Sequence, residues 1–141
     1  MTGTAIVTGA GTGIGKASAL ALLEAGWNVV FAGRRAELLE AAVAEAPDAG
    51  GAAAGDALAH ACDVTKPDEV DGLFETAVAK FGRVDLLFNN AGTGLIGSLI
   101  DEIEPEEWNR VVNVNLTGAF LCARAAFRLM RTQSPKGGRI I

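Results

Sequence analysis

A glycine-rich turn near the N-terminus constrains the fold of this chain more than any other feature. It reads TGAGTGIG from Thr8 to Gly15, follows an apolar run and precedes an Ala/Leu-rich segment from Lys16 to Leu23. A strand, a tight turn and a helix start in this order expose unpaired N–H groups at the positive end of a helix dipole. We therefore expect a diphosphate to bind there. The spacing is T-G-x-x-x-G-x-G and not G-x-G-x-x-G, so an ordinary turn before a surface helix is the alternative.

Apolar runs alternate with helical patterns along the whole chain. We predict strands at Thr4–Thr8, Asn28–Ala32, Leu58–Val64, Val84–Phe88 and from Arg139 to Ile141. Helices are predicted from Gly13 to about Ala25, from Glu37 to about Glu45, between Thr65 and Gly82, and from Pro105 to about Met130, with a loop over Pro47–Asp56. Such alternation indicates an α/β fold, a Rossmann-like doubly wound parallel sheet with helices on both faces. The fifth strand stops almost as soon as it starts.

The third predicted helix has the clearest boundaries. Thr65 is its candidate N-cap, Pro67 lies in the first turn, and Gly82 is its candidate C-cap. Between them, apolar residues recur at i, i+3, i+4, i+7, i+8 and i+11 from Val70 to Phe81, which predicts one buried stripe.

Charge and composition exclude several classes of partner. The formal net charge of −5 provides no basic surface for nucleic acid or an anionic membrane. The longest uncharged run, Leu86 to Ile100, has 15 residues, fewer than the ~20 that a membrane span needs. Cys62 and Cys122 lie far apart without metal-ligand spacing, so we expect buried thiols, no metal, and a cytoplasmic protein.

Four motifs in chain order make the sequence resemble the short-chain dehydrogenase/reductase family over essentially all 141 residues. They are Thr8-Gly9 with Gly13-Ile14-Gly15, then Asp63-Val64, then Asn89-Asn90-Ala91-Gly92, and finally Asn115 within Asn113-Val114-Asn115-Leu116. The resemblance implies an NAD(P)-dependent oxidoreductase that transfers a hydride between a nicotinamide cofactor and a carbonyl or secondary alcohol. It also implies a homo-oligomer for the complete protein.

The resemblance and the sheet geometry together assign the candidate site residues. The expected cofactor-binding residues are Gly9, Gly11, Thr12, Gly13, Ile14, Gly15, Arg34, Arg35, Asp63, Val64, Asn90, Ala91 and Gly92. Asn115 is the candidate catalytic residue, because the family carries an Asn there that orients a water in a proton relay. Each has a structural alternative: Asp63 assists a helix start, the Asn pair forms a local turn, and Asn115 stabilises a helix kink.

The end of the second strand bears on the choice of cofactor. An NAD site places a carboxylate there, about 20 residues past the glycine turn, to bind the ribose 2′-OH. This chain has Gly33-Arg34-Arg35 instead, and a guanidinium suits a 2′-phosphate, which favours NADP(H). Thr12 stands where many NADP-preferring relatives carry a second basic residue, so NAD(H) remains an alternative, and two solvated arginines remain another.

The catalytic residues that the resemblance implies are not in this sequence. The family uses a Ser after the fifth strand and a Tyr-x-x-x-Lys pair on the next helix, but the chain contains no tyrosine and ends at Ile141. We expect residues 1–141 to be the incomplete, cofactor-binding N-terminal part of such an enzyme, with an uncovered sheet edge at its last strand. The alternatives are a non-catalytic dinucleotide-binding module and a chain that folds only with a partner.

Overall fold

A single parallel sheet organises the computed structural model, which describes residues 3–46 and 55–141. Within these residues the sheet comprises β1 (Thr4–Thr8), β2 (Asn28–Gly33), β3 (Ala57–Ala61), β4 (Leu86–Phe88) and β5 (Arg139–Ile140), in the order β3-β2-β1-β4-β5. The helices are α1 (Gly13–Glu24), α2 (Ala36–Ala44), α3 (Pro67–Phe81), α4 (Pro105–Val112) and α5 (Ala119–Met130), with a 3₁₀ turn at Ile100–Glu102. Most of the loop predicted at Pro47–Asp56 lies outside the described residues.

Helices cover both faces of the sheet, which confirms the doubly wound fold. Adjacent strand residues point to opposite faces, so Ile6 and Val30 enter one core and Ala5 and Phe31 enter the other. The first core is completed by α3 and α5, and the second by α1 and α2. All five residues of β1 are buried, as expected of a central strand in a sheet covered on both sides.

The strand order reverses next to β1. The chain builds β1, β2 and β3 outward in one direction, then crosses back through α3 to place β4 on the other side of β1. The loops that leave the carboxyl ends of β1 and β4 therefore turn to opposite faces and open a crevice between them. The glycine-rich turn follows β1 and the Asn-Asn-Ala-Gly turn follows β4, so both predicted motifs lie at this point.

Strands β3 and β4 are shorter than the sequence predicts. The strand predicted to run to Val64 ends at Ala61. Its partner β2 ends at Gly33, which pairs with Ala61 and whose carbonyl accepts the last hydrogen bond, from the Cys62 N–H at 2.8 Å. The strand predicted to start at Val84 starts at Leu86. The N–H and carbonyl of Val84 are already bonded to the side chain of Gln133, at 3.2 and 2.9 Å.

The start of α3 also differs from the prediction, whereas its end is confirmed. Lys66 and not Thr65 occupies the N-cap position. Thr65 is unavailable as a cap because its hydroxyl and its N–H both donate to Oδ1 of Asp63, at 2.8 and 3.0 Å. Gly82 closes the helix in the left-handed conformation, with φ of 82°.

The long helix predicted from Pro105 to Met130 is interrupted. A π-helical turn over Asn113–Gly118 separates α4 from α5 and contains Asn115. None of the α4 residues is buried, whereas α5 packs on the sheet through Leu121, Cys122, Ala125 and Ala126.

In the described part of the chain no helix has the length and apolarity to cross a bilayer. Among the described residues, β5 pairs only with β4, and the side chains of Ile140 and Ile141 are exposed.

Candidate functional site

A cleft of about 360 Å³ lies at the carboxyl ends of the strands. It is lined by Gly9, Gly11, Thr12, Gly13, Ile14, Gly33, Arg34, Arg35, Leu38, Leu39, Cys62, Asp63, Val64, Asn90, Ala91, Gly92 and Val114. The turns after β1, β2, β3 and β4 all contribute, although they are far apart in sequence. Every residue predicted to bind the cofactor lines this cleft except Gly15.

The turn after β1 is shaped by two glycines that tolerate no side chain. Gly9 has φ of 68°, a conformation that L-residues with a Cβ rarely adopt. Gly15 lies behind the turn, where a Cβ would overlap the Gly9 carbonyl oxygen and approach the Asn90 side-chain nitrogen to 2.6 Å. The bare backbone at Gly15 thus lets α1 pack directly against the turn.

The N-terminus of α1 is open toward the cleft. Thr12 occupies the N-cap position in an extended conformation, and its side chain makes no capping hydrogen bond. The first turn of α1 contains no acidic residue, and open space surrounds the position that a Cβ on Gly13 would take. The first N–H groups and the positive end of the helix dipole are therefore available to an anionic ligand. Ile14, 73% exposed, adds an apolar side chain to the same wall.

Thr8, the threonine that begins the glycine-rich motif, holds the turn after β4 in place. Its hydroxyl oxygen accepts hydrogen bonds from the backbone N–H groups of Asn90 and Ala91, at 3.0 and 2.9 Å. In return, the side-chain nitrogen of Asn90 donates to the Thr8 carbonyl at 3.0 Å. Thr8 is fully buried. The sequence marked Thr8 only as the first residue of the T-G-x-x-x-G-x-G motif and gave no indication of its contact with the turn after β4.

The two asparagines of the Asn-Asn-Ala-Gly motif have different environments. Asn90 lines the cleft, whereas Asn89 lies outside the lining. The Asn89 side-chain nitrogen donates to the Ala119 carbonyl at 2.8 Å, which ties β4 to the start of α5. Asn90 is therefore placed at the cleft, whereas the side chain of Asn89 serves the contact between β4 and α5.

Asp63 lies at the cleft and also holds the segment before α3. Its carboxylate lines the cleft and also accepts two hydrogen bonds from Thr65 just before α3. Burial alone would raise the pKa of Asp63, but the Thr65 hydrogen bonds and the charges of Lys66 and Arg34 outweigh it and lower that pKa. Asp63 is therefore ionised at neutral pH and stays an acceptor.

Arg34 and Arg35 present two exposed guanidinium groups at the end of β2. Neither belongs to an ion pair formed within residues 3–46 and 55–141. The positive charge of Arg34 helps to lower the pKa of Asp63 on the neighbouring turn, so the two residues lie at the same end of the cleft. This end therefore offers both a carboxylate acceptor and guanidinium donors.

Asn115 does not line the cleft in this structure. Its side-chain nitrogen donates to the Thr93 carbonyl and its Oδ1 accepts from the Thr93 N–H, each at 2.8 Å. Thr93 follows the Asn-Asn-Ala-Gly motif directly, and its hydroxyl accepts a hydrogen bond from Arg110 at 2.9 Å. The π-helical turn thus borders the cleft through Val114 and holds the next loop through Asn115.

The two cysteines are buried and unreactive. Burial raises the pKa of Cys62 to about 12 and that of Cys122 to about 11, so both remain thiols at physiological pH. In the described part of the chain, no group of three or more His, Cys, Asp and Glu side chains is arranged to hold a metal ion.

Comparison with known proteins gives consistent similarities. The family model described as short chain dehydrogenase matches residues 3–141. A 3-oxoacyl-[acyl-carrier-protein] reductase of Synechocystis is 44% identical over 138 residues, which cover 97% of this chain and 53% of that reductase. The crystal structure of NAD+-bound xylitol dehydrogenase has a TM-score of 0.89 at 37% identity, with 98% of this chain and 51% of that one covered. A metagenomic short-chain oxidoreductase in complex with NADP has a TM-score of 0.86 at 38% identity, with 98% and 60% covered. The chain spans about half the length of these proteins.

Proposed function

This chain belongs to the short chain dehydrogenase family, and from this membership we propose that residues 1–141 form the cofactor-binding part of an NAD(P)(H)-dependent oxidoreductase. The proposed reaction moves a hydride between the nicotinamide ring and a carbonyl or secondary alcohol. The observation that carries the proposal is the cleft at the sheet's switch point, where the open N-terminus of α1 meets the turns after β2, β3 and β4.

The chemistry of the cleft residues supports a dinucleotide as the ligand. The bare turn and open helix start at Gly11–Ile14 suit the diphosphate. Asp63 and Val64 suit the adenine, with an ionised acceptor beside an apolar side chain. The turn after β4, held by Thr8, presents Asn90, Ala91 and Gly92 to the rest of the cofactor. Once bound, the nicotinamide supplies or accepts the hydride.

We propose NADP(H) as the preferred cofactor. The end of β2 carries Arg34 and Arg35 and has no carboxylate at Gly33 to bind a ribose 2′-OH. An exposed guanidinium with no carboxylate partner among the described ion pairs is suited to the 2′-phosphate. The solved relatives include complexes with NADP and with NAD+, so both cofactors belong in the test.

The proposed role of Asn115 is catalytic, on the substrate side. Its hydrogen bonds to Thr93 hold the π-helical turn beside the cleft and orient the backbone of that turn. A cytoplasmic location, a small carbonyl or alcohol substrate, and a homo-oligomer for the whole protein complete this proposal.

A second candidate function is dinucleotide binding without turnover. It is favoured by the cleft itself, because the open N-terminus of α1 and the bare glycine turn suit anion binding without any acid/base residue. An assay with NADPH and a panel of ketones tests the second candidate in one direction. Turnover excludes it, whereas saturable binding without turnover agrees with both candidates, because the main proposal also assigns only cofactor binding to residues 1–141.

Titration of the chain with NADPH and with NADH tests the main proposal. We expect saturable binding with dissociation constants in the micromolar range. Gly13→Asp places a carboxylate at the open start of α1 and should weaken both cofactors at least tenfold. Gly13→Asn is the matched control, since it introduces nearly the same shape and backbone strain without the charge. No saturable binding of either cofactor at millimolar concentration contradicts the proposal.

A further inference from the structure

Val64 contacts both the cleft and the π-helical turn. It lines the cleft from the loop after β3, and it is only 7% exposed. On its other side it meets Gly118, the last residue of the turn: a Cβ on Gly118 would lie 2.6 Å from Cγ2 and 3.2 Å from Cβ of Val64. The backbone carbon of Val64 would be only 3.4 Å away. The two segments therefore meet with no space between them.

The π-helical turn has few other supports. Asn115 bonds to the backbone of Thr93, Asn89 bonds to the carbonyl of Ala119, and Val114 packs partly buried against the same core as Val64. Asn115 itself is exposed, so packing around its own side chain does not hold it. Its position depends on where Gly118, three residues and less than one helical turn away, rests against Val64.

We propose that Val64 is a positioning residue for Asn115 and acts through its contact with Gly118. This inference rests on the proposed function, because it links the adenine end of the cleft to the proposed catalytic asparagine. Val64 is branched at Cβ, which restricts rotation about χ1, so its methyl groups do not readily rotate away from Gly118. A ligand that packs on Val64 in the cleft therefore restricts the π-helical turn and slows opening of the hydrogen bonds at Thr93.

The contact predicts a pair of variants that compensate each other. Gly118→Ala inserts a methyl group against Val64 and displaces the turn. Val64→Ala removes Cγ2, the methyl group that the new side chain would approach to 2.6 Å, and leaves Cβ at 3.2 Å. The double variant should therefore be closer to the native arrangement than Gly118→Ala alone, since space is restored on one side of the contact. Gly72→Ala, within α3, has nothing within 4 Å of the added methyl and serves as the control.

The readout is hydrogen exchange of the Thr93 backbone amide, which donates to Asn115. We expect Gly118→Ala to speed that exchange at least threefold and the double variant to restore it to within a factor of two. The Asn28 amide, which donates to the Gly3 carbonyl at the amino ends of β1 and β2, far from the cleft, should not change. Unchanged Thr93 exchange in Gly118→Ala, or no restoration in the double variant, overturns the proposal. So does equal acceleration at Asn28, which would indicate general destabilisation.

Addition of NADPH extends the test. In the unmodified chain, saturating NADPH should slow Thr93 exchange. Val64→Ala should lose most of that effect when it is measured at an NADPH concentration raised until the variant is also saturated. Bound NADPH that leaves Thr93 exchange unchanged overturns the proposal. If NADPH does not bind at all, the proposed function fails, and the positioning role of Val64 is decided by the ligand-free variants.

Discussion

The side chain of Asn115 and the backbone of Thr93 are joined by a reciprocal pair of hydrogen bonds, both 2.8 Å long. The amide group of Asn115 donates to the Thr93 carbonyl and accepts from the Thr93 N–H. A primary amide is the one side-chain group that offers a donor and an acceptor in this geometry. The pair connects the interrupted helix to the loop that leaves the cleft.

Replacement of Asn115 should release that loop. Asn115→Asp keeps the acceptor for the Thr93 N–H but sets a carboxylate oxygen against the Thr93 carbonyl. Asn115→Ala removes both bonds. We expect each to speed Thr93 amide exchange and to lower the free energy of unfolding by about 1–2 kcal/mol. Asn113→Ala, in the same turn, is the control. Native exchange rates in Asn115→Ala would show that the pair does not order the loop.

Arg34→Ala should separate the two cofactors. Loss of a charge-assisted contact with a 2′-phosphate costs about 1.5–3 kcal/mol, or roughly ten- to a hundredfold in affinity. NADPH binding should weaken by this factor and NADH binding should stay nearly constant in parallel titrations. Adding Gly33→Asp should then favour NADH, because the new carboxylate can bind its 2′-OH and repels the phosphate of NADPH. Equally weaker binding of both cofactors would mean that Arg34 acts through folding. Unchanged binding of both would mean that Arg34 is a solvated surface residue without a cofactor contact.

Alanine at two helical glycines should have opposite effects. Gly15→Ala drives a methyl group into the Gly9 carbonyl and the Asn90 side chain and should destabilise the fold by about 1–3 kcal/mol. Gly72→Ala meets open space and should stabilise α3 by about 0.5–1 kcal/mol, because alanine is the better helix former. Urea unfolding measures both. A Gly15→Ala chain as stable as the original would contradict the close packing of α1 on the turn.

Thr8 should tolerate serine but not valine. Thr8→Val keeps the shape of the side chain and leaves the N–H groups of Asn90 and Ala91 without their acceptor, which costs about 1–3 kcal/mol for a buried unpaired group. Thr8→Ser retains the hydroxyl and should cost less. The comparison uses urea unfolding and NADPH affinity together. If the two variants behave alike, the hydroxyl does not hold the turn after β4.

Stability should fall in acid because of Asp85. Its carboxylate accepts hydrogen bonds from the Thr4 N–H at 3.0 Å and from Arg83 Nε at 2.8 Å. Burial raises the pKa of Asp85, but these partners outweigh it and lower that pKa below the ordinary value. The ionised carboxylate stabilises the fold fully above the pKa that Asp85 has in the unfolded chain, about 4. This stabilisation is lost as the pH falls through the lower pKa that Asp85 has in the folded chain.

Asp85→Asn tests this dependence. The variant should be less stable than the original chain at pH 7, and the difference should shrink as the pH drops below 4. Unfolding by urea at several pH values gives the comparison, with Asp101→Asn, at an exposed carboxylate, as the control. A difference that stays constant down to pH 2 would show that the Asp85 charge contributes nothing.

The local pattern of residues was sufficient for the class of fold and for most of the cleft. The boundaries of β1 and the C-terminal end of α3 agree with the prediction, because a buried apolar run and a glycine C-cap depend on neighbours in sequence. The motifs after β1 and β4 were expected at one sheet edge, since parallel strands bring their carboxyl ends together. The family resemblance then supplied Asp63 and Val64, which do line the cleft.

Contacts between distant segments decided the rest. Val84 lies outside β4 because the side chain of Gln133, 49 residues away, bonds to its backbone. Thr65 does not cap α3 because its hydroxyl donates to the carboxylate of Asp63. Thr8 gains its importance only when β4 lies beside β1, and Gly118 only when its turn meets Val64. Periodicity and propensity describe what a segment favours by itself. Side-chain hydrogen bonds and close packing between segments depend on the assembled sheet, so only the tertiary structure determines which residues hold the cleft and the asparagine beside it.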